Sequence, residues 1–227
     1  MKTKLNQRIK LALGVTVAIA TAMVVCLALP ARAGNKPAPG QSSAFGKTLA
    51  QWEDLYMRWW SGDVTIAPDA NGNAATNGVV LLPLPNTTGD GTPGHQDVTL
   101  NNGQAFFLPL LFELGTSYTD GTPPDPLLSA GYFTGFDVTL QIDGVTVIDN
   151  GNKADYFTQF NFTPPVPLGF ANLDAIIWNQ SFNLVHTPLS PGTHTIKLDE
   201  KAGQPLPPNF GGATLEFHNT WTITVLP

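Results

Sequence analysis

The chain has 227 residues, of which 42% are hydrophobic and only 12% charged, with a formal net charge of −6. Five of its eleven Lys and Arg fall before residue 34 and all seventeen Asp and Glu after it, so the remainder carries −11, a charge that repels phosphate backbones and argues against nucleic acid or anionic membrane as partners. A single cysteine, Cys26, argues against a disulfide framework.

In chain order, Lys2, Lys4, Arg8 and Lys10 precede an uncharged apolar run from Leu11 to Leu29 that closes on Ala31-Arg32-Ala33. This is the order of a secretory signal peptide, residues 1–33, cleaved before Gly34. Cleavage removes Cys26, leaves no stable membrane insertion and places the protein outside the cytoplasm, periplasmic or extracellular. It also leaves 194 residues, a length that suits one large β domain. Residues 34–43, mostly Gly, Pro, Ser, Gln and Ala, read as an unfolded leader, and 44–227 as a single domain.

The densest aromatic stretch follows. Phe45, Leu49, Trp52, Leu55, Tyr56, Trp59 and Trp60 recur at steps of three and four, which predicts an amphipathic helix with one broad apolar face. Thr48 and Gln51 form a capping box at its start and Gly62 an αL stop at its end. Glu53 is placed on the polar side of this helix. Asp69 to Asn73 resembles a calcium loop only in composition, lacks the spaced carboxylates, and is read as a turn.

Val79 to Leu84 reads as a buried strand, and Val98–Leu100 and Gln104–Leu114 as two strands joined by a tight turn at Asn101-Asn102-Gly103. Pro109 predicts that the second of these is an edge or is broken there. Phe136, Val138, Leu140 and Ile142 alternate with polar residues up to Asp143-Gly144, a type I′ hairpin turn that pairs Ile142 with Val145 and Leu140 with Val147. Alternation returns at Phe160 and Phe162, from Ile176 to Leu184, from Thr193 to Leu198, and from Thr214 to Val225. Asp199 to Gly212, with Glu200 in it, is predicted as a loop. The whole predicts a mainly β fold, an antiparallel β-sandwich of jelly-roll type with the one N-terminal helix packed on it.

Gly46-Lys47-Thr48, Trp52, the pair Trp59-Trp60, the stretch Gly103-Gln104-Ala105-Phe106-Phe107-Leu108-Pro109 and the turn Pro191-Gly192-Thr193-His194 together resemble a group of secreted bacterial proteins that have a Trp-rich helix followed by a β-sandwich. The chain departs from that group in lacking its cysteines and in placing Tyr56-Met57-Arg58 before the Trp pair. The resemblance implies export and fold; it carries no activity, cofactor or site residue.

For chemistry, no Gly-x-Ser-x-Gly elbow is present, and without Cys26 there is no thiol nucleophile. No cofactor motif is found. Glu216 and His218 stand two apart on one strand and so share a face, which makes them the candidate metal pair. His194, in phase with Ile196 and Leu198, reads as a half-buried core histidine. Glu113 and Glu216 are the candidate carboxylates for a glycan-active hydrolase or lyase. A third feature is the neutral polar faces of three strands, where Gln141, Asn161, Asn179 and Asn183 offer amides suited to sugar hydroxyls. The expected function is therefore a secreted, non-catalytic β-sandwich that binds neutral polysaccharide, with a glycan-active enzyme or a structural envelope protein as alternatives.

Overall fold

The computed structural model describes residues 43–170 and 172–227, so the predicted signal peptide and residues 34–42 of the predicted leader lie outside the described residues. Helix α1 spans Leu49–Ser61. The strands are β1 (Ala75–Thr76), β2 (Val79–Leu81), β3 (Asp90–Leu100), β4 (Ala105–Tyr118), β5 (Asp137–Ile142), β6 (Val145–Ile148), β7 (Phe157–Pro167), β8 (Leu173–His186), β9 (Gly192–Lys201) and β10 (Glu216–Val225), with a short helix α2 (Ala130–Thr134) between β4 and β5.

The strands form two five-stranded sheets, β1-β2-β4-β8-β7 and β3-β10-β9-β5-β6. The arrangement is sandwich-like, but the expected antiparallel order is corrected: β2 pairs with β4, and β3 with β10, in parallel. β3 and β4 are likewise not the expected hairpin. The turn at Asn101–Gly103 carries the chain out of the second sheet and into the first, because Leu100 pairs with Val225 while Ala105 pairs with Val79.

Between the sheets, Phe106, Leu108 and Leu110 of β4 and Phe182 and Leu184 of β8 cluster with Leu140, Ile196, Leu198, Trp221 and Ile223 of the second sheet. The indole N–H of Trp221 donates to the Pro83 carbonyl at 2.8 Å, so the largest ring in this core leaves no polar atom unpaired. Trp178 closes one end. Its ring lies against the Cα of Gly115, where a Cβ would come within 1.9 Å of it, and its N–H donates to the Asp125 carbonyl at 2.8 Å.

Two local expectations are refined. β2 reaches only Ala105–Phe107 of β4, so β4 from Leu108 onward is paired with β8 alone, and Pro109, which has no N–H to give, sits where none is needed. A register shift follows it, between Pro109 and Leu111. In the Asp143-Gly144 hairpin both turn residues have positive φ, 52° and 76°, and Ile142 pairs with Val145 as expected. A bulge between Leu140 and Gln141 then moves Leu140 opposite Ile148 in place of Val147.

α1 covers the outer face of the first sheet. Thr48 accepts from the Gln51 N–H and the Gln51 side chain accepts from the Thr48 N–H at 2.9 Å, while Gly62 ends the helix at φ 84°. Leu49, Trp52, Tyr56 and Met57 pack on Val79, Leu81, Phe107, Phe162 and Val185, a second core on the far side of that sheet. Trp52 is wholly buried and its N–H donates to the Ala44 carbonyl at 2.8 Å, whereas Trp60, past the last helical turn to be covered, stays 47% exposed.

Candidate functional site

α1 crosses the sheet obliquely. Its first turns border the edge strand β7, where Ala50, Gln51 and Asp54 line a shallow groove of about 260 Å³ with Phe160, Asn161 and Thr163. Its last turns reach β4, with the Tyr56 ring 5.5 Å from Phe107 and Trp60 5.7 Å from Phe112. Arg58 pins the helix beside the groove: it donates to Asp54 at 3.1 Å, to Asp63 at 2.8 Å and to the Pro164 carbonyl at 2.6 Å, and lies over the Phe162 ring. The groove therefore brings Phe160, Asn161 and Thr163 of β7 together with Gln51 and Asp54 of α1.

The four amides expected to share a sugar-binding face do not do so. Asn161 lines the groove on β7, and Gln141 lies on the outer face of the second sheet, where its Nε2 approaches Thr146 Oγ1 at 3.5 Å. Asn179 and Asn183 are fully buried. The alternation of β8 sends Phe182 and Leu184 into the sandwich, so Asn179, Ser181 and Asn183 face the side covered by α1. There they join Thr158: Asn179 Nδ2 donates to Ser181 Oγ at 2.9 Å, Asn183 Nδ2 to Ser181 Oγ at 2.8 Å and to Thr158 Oγ1 at 3.0 Å, and the two hydroxyls are 2.8 Å apart. The neutral amides of this strand are thus buried pairing groups, and the two oxygens Asn179 Oδ1 and Asn183 Oδ1 have no hydrogen-bond partner among the described residues.

The carboxylates separate as well. Glu113 pairs in register with Gln180 and faces into the sandwich, while Glu216 precedes the inward Phe217 and so faces outward on the other sheet. The two stand on different surfaces and do not form a catalytic pair. Burial pushes the Glu113 carboxyl up to about 7; burial, and secondarily the charge of Glu113, also raises the nearby Tyr132 hydroxyl, which has no hydrogen-bond partner among the described residues. Gln180 is held on both sides, donating to Gln159 at 2.8 Å and exchanging bonds with the Leu128 backbone.

Glu216 and His218, the candidate metal pair, are members of a charge ladder. Lys201 bonds Glu216 at 2.9 Å, Glu216 accepts from His218 Nε2 at 3.1 Å, His218 Nδ1 donates to Asp199 at 2.7 Å, and Asp199 meets Lys197 at 2.7 Å. Hydrogen bonds donated to Asp199 and Glu216 raise the His218 pKa, so it acts as the cation between two carboxylates, with both ring nitrogens engaged. Among the described residues no group of three or more His, Cys, Asp or Glu side chains is arranged to hold a metal. His194 is half-buried as expected, with Nδ1 2.7 Å from Asp143 and Nε2 2.8 Å from the Ser190 carbonyl, and it braces the hairpin turn against β9.

Two acids lie elsewhere than the sequence predicts. Glu53 is not on the polar side of α1 but fully buried, and Glu200 is not in a loop but on β9, 2% exposed between Val138 and Phe217. Neither carboxylate has a hydrogen-bond partner among the described residues, and burial pushes each up to about 8, so both are neutral acids at pH 7. The signals were present: Glu53 is four residues from Leu49 and three from Tyr56, and Glu200 continues the Ile196, Leu198 alternation. An acidic side chain points to an outward face by its charge alone, and here burial wins by protonation. Each orphaned buried group costs about 1–3 kcal/mol, so their retention is a feature to be explained.

Fold and groove together define a two-sheet, mainly β protein with one face closed by a helix and a polar, aromatic-walled groove along the seam. Compared with known proteins, the chain matches no family model and no curated sequence.

Proposed function

We propose that this is a secreted, non-catalytic β-sandwich protein that binds neutral polysaccharide in the groove between α1 and β7. The observation that carries the reading is the lining of that groove. Phe160 supplies a ring for a sugar face, while Asn161, Thr163 and Gln51 supply donors and acceptors for hydroxyls, with Asp54 as a charged acceptor at the rim. The groove is shallow and runs along a strand edge, a shape suited to a length of chain more than to a small enclosed ligand. Gln141, on the other sheet, is then outside the binding surface, as are the fully buried Asn179 and Asn183.

A glycan array probed with the purified protein tests this. Binding to one or more neutral glycans is expected, with loss on Phe160→Ala or Asn161→Ala and retention on Gln141→Ala. Absence of binding to every neutral glycan removes the reading, as does binding indifferent to both groove substitutions.

A further inference from the structure

At one end of the second sheet, His194 on β9 stands between two turns. On one side is the Asp143-Gly144 turn that joins β5 to β6. The Asp143 side chain accepts at Oδ1 from the Thr195 N–H at 2.9 Å, and the Asp143 N–H donates to the Thr195 carbonyl at 2.8 Å, so this turn is fixed to β9. On the other side is the connection from β8 to β9, residues 187–191, which carries no charged side chain. The imidazole reaches both: Nδ1 lies 2.7 Å from Asp143 Oδ2 and Nε2 lies 2.8 Å from the Ser190 carbonyl oxygen. The residue opposite it on β10 is the apolar Ile223, and Asp143 is the one charged group bonded to it among the described residues. A carboxylate and a carbonyl can only accept hydrogen bonds. An imidazole held by both through its two nitrogens must therefore carry a proton on each, which is the cationic form.

We infer that His194 is a proton-operated clasp on the β8–β9 connection, closed when the ring is protonated and open when it is neutral. A neutral imidazole keeps one N–H and presents a lone pair at its other nitrogen. The carboxylate is the stronger acceptor and is held in place by the Thr195 backbone, so the retained proton stays on Nδ1. Nε2 then sets its lone pair against the Ser190 carbonyl, acceptor against acceptor, and the connection is released. Imidazole is the side chain whose charge changes in the physiological pH range, which makes acid the closing signal and alkali the opening one. Burial decides whether the change is felt. His218 on the open face has the same two-sided arrangement at 37% exposure, where water replaces a lost bond, whereas the His194 side chain is 11% exposed and the Ser190 carbonyl must find a new partner.

Nitrogen and carbon NMR of the purified protein from about pH 5 to about pH 8 tests the clasp. At the acid end both ring nitrogens of His194 should carry protons, and at the alkaline end Nδ1 alone. The Ser190 carbonyl carbon, read by carbon detection because Pro191 has no N–H, should shift with the same midpoint as the ring. Amide exchange at Ser190, Gly192 and Thr193, corrected for its intrinsic pH dependence, should rise about tenfold as the clasp opens, the factor for one lost hydrogen bond to a charged group. His194→Gln has no titrating group at this position and should hold the carbonyl and exchange readouts constant. Should that variant fail to fold, agreement of the ring and carbonyl midpoints in the wild type decides the matter. A ring that keeps one charge state throughout overturns the proposal, as does a neutral ring with its proton on Nε2 or a Ser190 carbonyl that does not follow the ring. A pH response undiminished in His194→Gln overturns it as well.

Discussion

The outer faces of the two sheets are built from similar strands and have opposite fates. On the first sheet, α1 lies over the outward residues of β4, β7 and β8, and the polar groups caught there are neutral amides and hydroxyls that bond to one another, with Glu53 among them. On the second, the outward residues of β9 and β10 stay in contact with water and carry the ladder from Lys197 through His218 to Lys201. A covered face keeps its polar side chains only by pairing them without net charge; an open face can leave charges in place because solvent screens them. The same kind of strand alternation therefore yields structural amides on one side and a weak ionic network on the other.

The contrast predicts large effects on the covered face and small ones on the open face. Trp52→Ala removes a wholly buried ring and should cost about 3–5 kcal/mol, read from the denaturant midpoint, while Trp60→Ala on the same helix should cost far less because nearly half of its ring is in water. Equal losses for the two would mean that α1 is not seated as described.

The next effect concerns Glu200, which shows that the second sheet also buries an acid, but on its inner side. Its folded pKa of about 8 stands above the ordinary 4.5, so the folded state holds the proton more tightly than the unfolded chain. Stability is fully present below 4.5 and falls as pH rises through 8, by on the order of a few kcal/mol in total. Glu200→Gln should flatten that slope, making the variant more stable than the wild type at alkaline pH, as measured by melting temperature against pH. An unchanged slope rejects the neutral-acid assignment.

On the open sheet, Gly144→Val should cost about 1–2 kcal/mol, because a β-branched residue is forced to the positive φ that the turn requires. Smallest of all, His218→Gln should change stability by less than about 1 kcal/mol, since the ladder is more than a third exposed at His218. What remains of its effect has a sign: the raised His218 pKa gives stability below 6.5 that is lost as pH rises through the folded value, and added salt should erase it.

How much of this was readable beforehand follows from which interactions are local. The capping box, the αL stop at Gly62 and the Asp143-Gly144 turn depend on residues within four positions of each other, and each is found where the sequence predicted it. Sheet order is not local. The parallel pairing of β3 with β10 joins segments far apart in the chain, and β3 itself, Asp90–Leu100, begins with Asp, Gly, Thr, Pro and Gly, which read as a turn until a neighbour supplies the ladder. The candidate site failed for a related reason. Alternation shows that Asn179 and Asn183 share a face but not whether a helix covers it, and the groove that gathers Asn161, Phe160 and Gln51 exists only once α1 is docked.

Arg58 gives that docking a dynamic consequence. Its guanidinium holds two acids of the helix region and the backbone of Pro164 on an edge strand that has a neighbour, β8, on one side only. The end of β7 therefore cannot detach from the sheet without pulling on α1, nor α1 lift without releasing that end. Amide hydrogens in 159–166 and in the helix should exchange with solvent at a common rate, as one opening unit, while those of β9 and β10 wait for global unfolding.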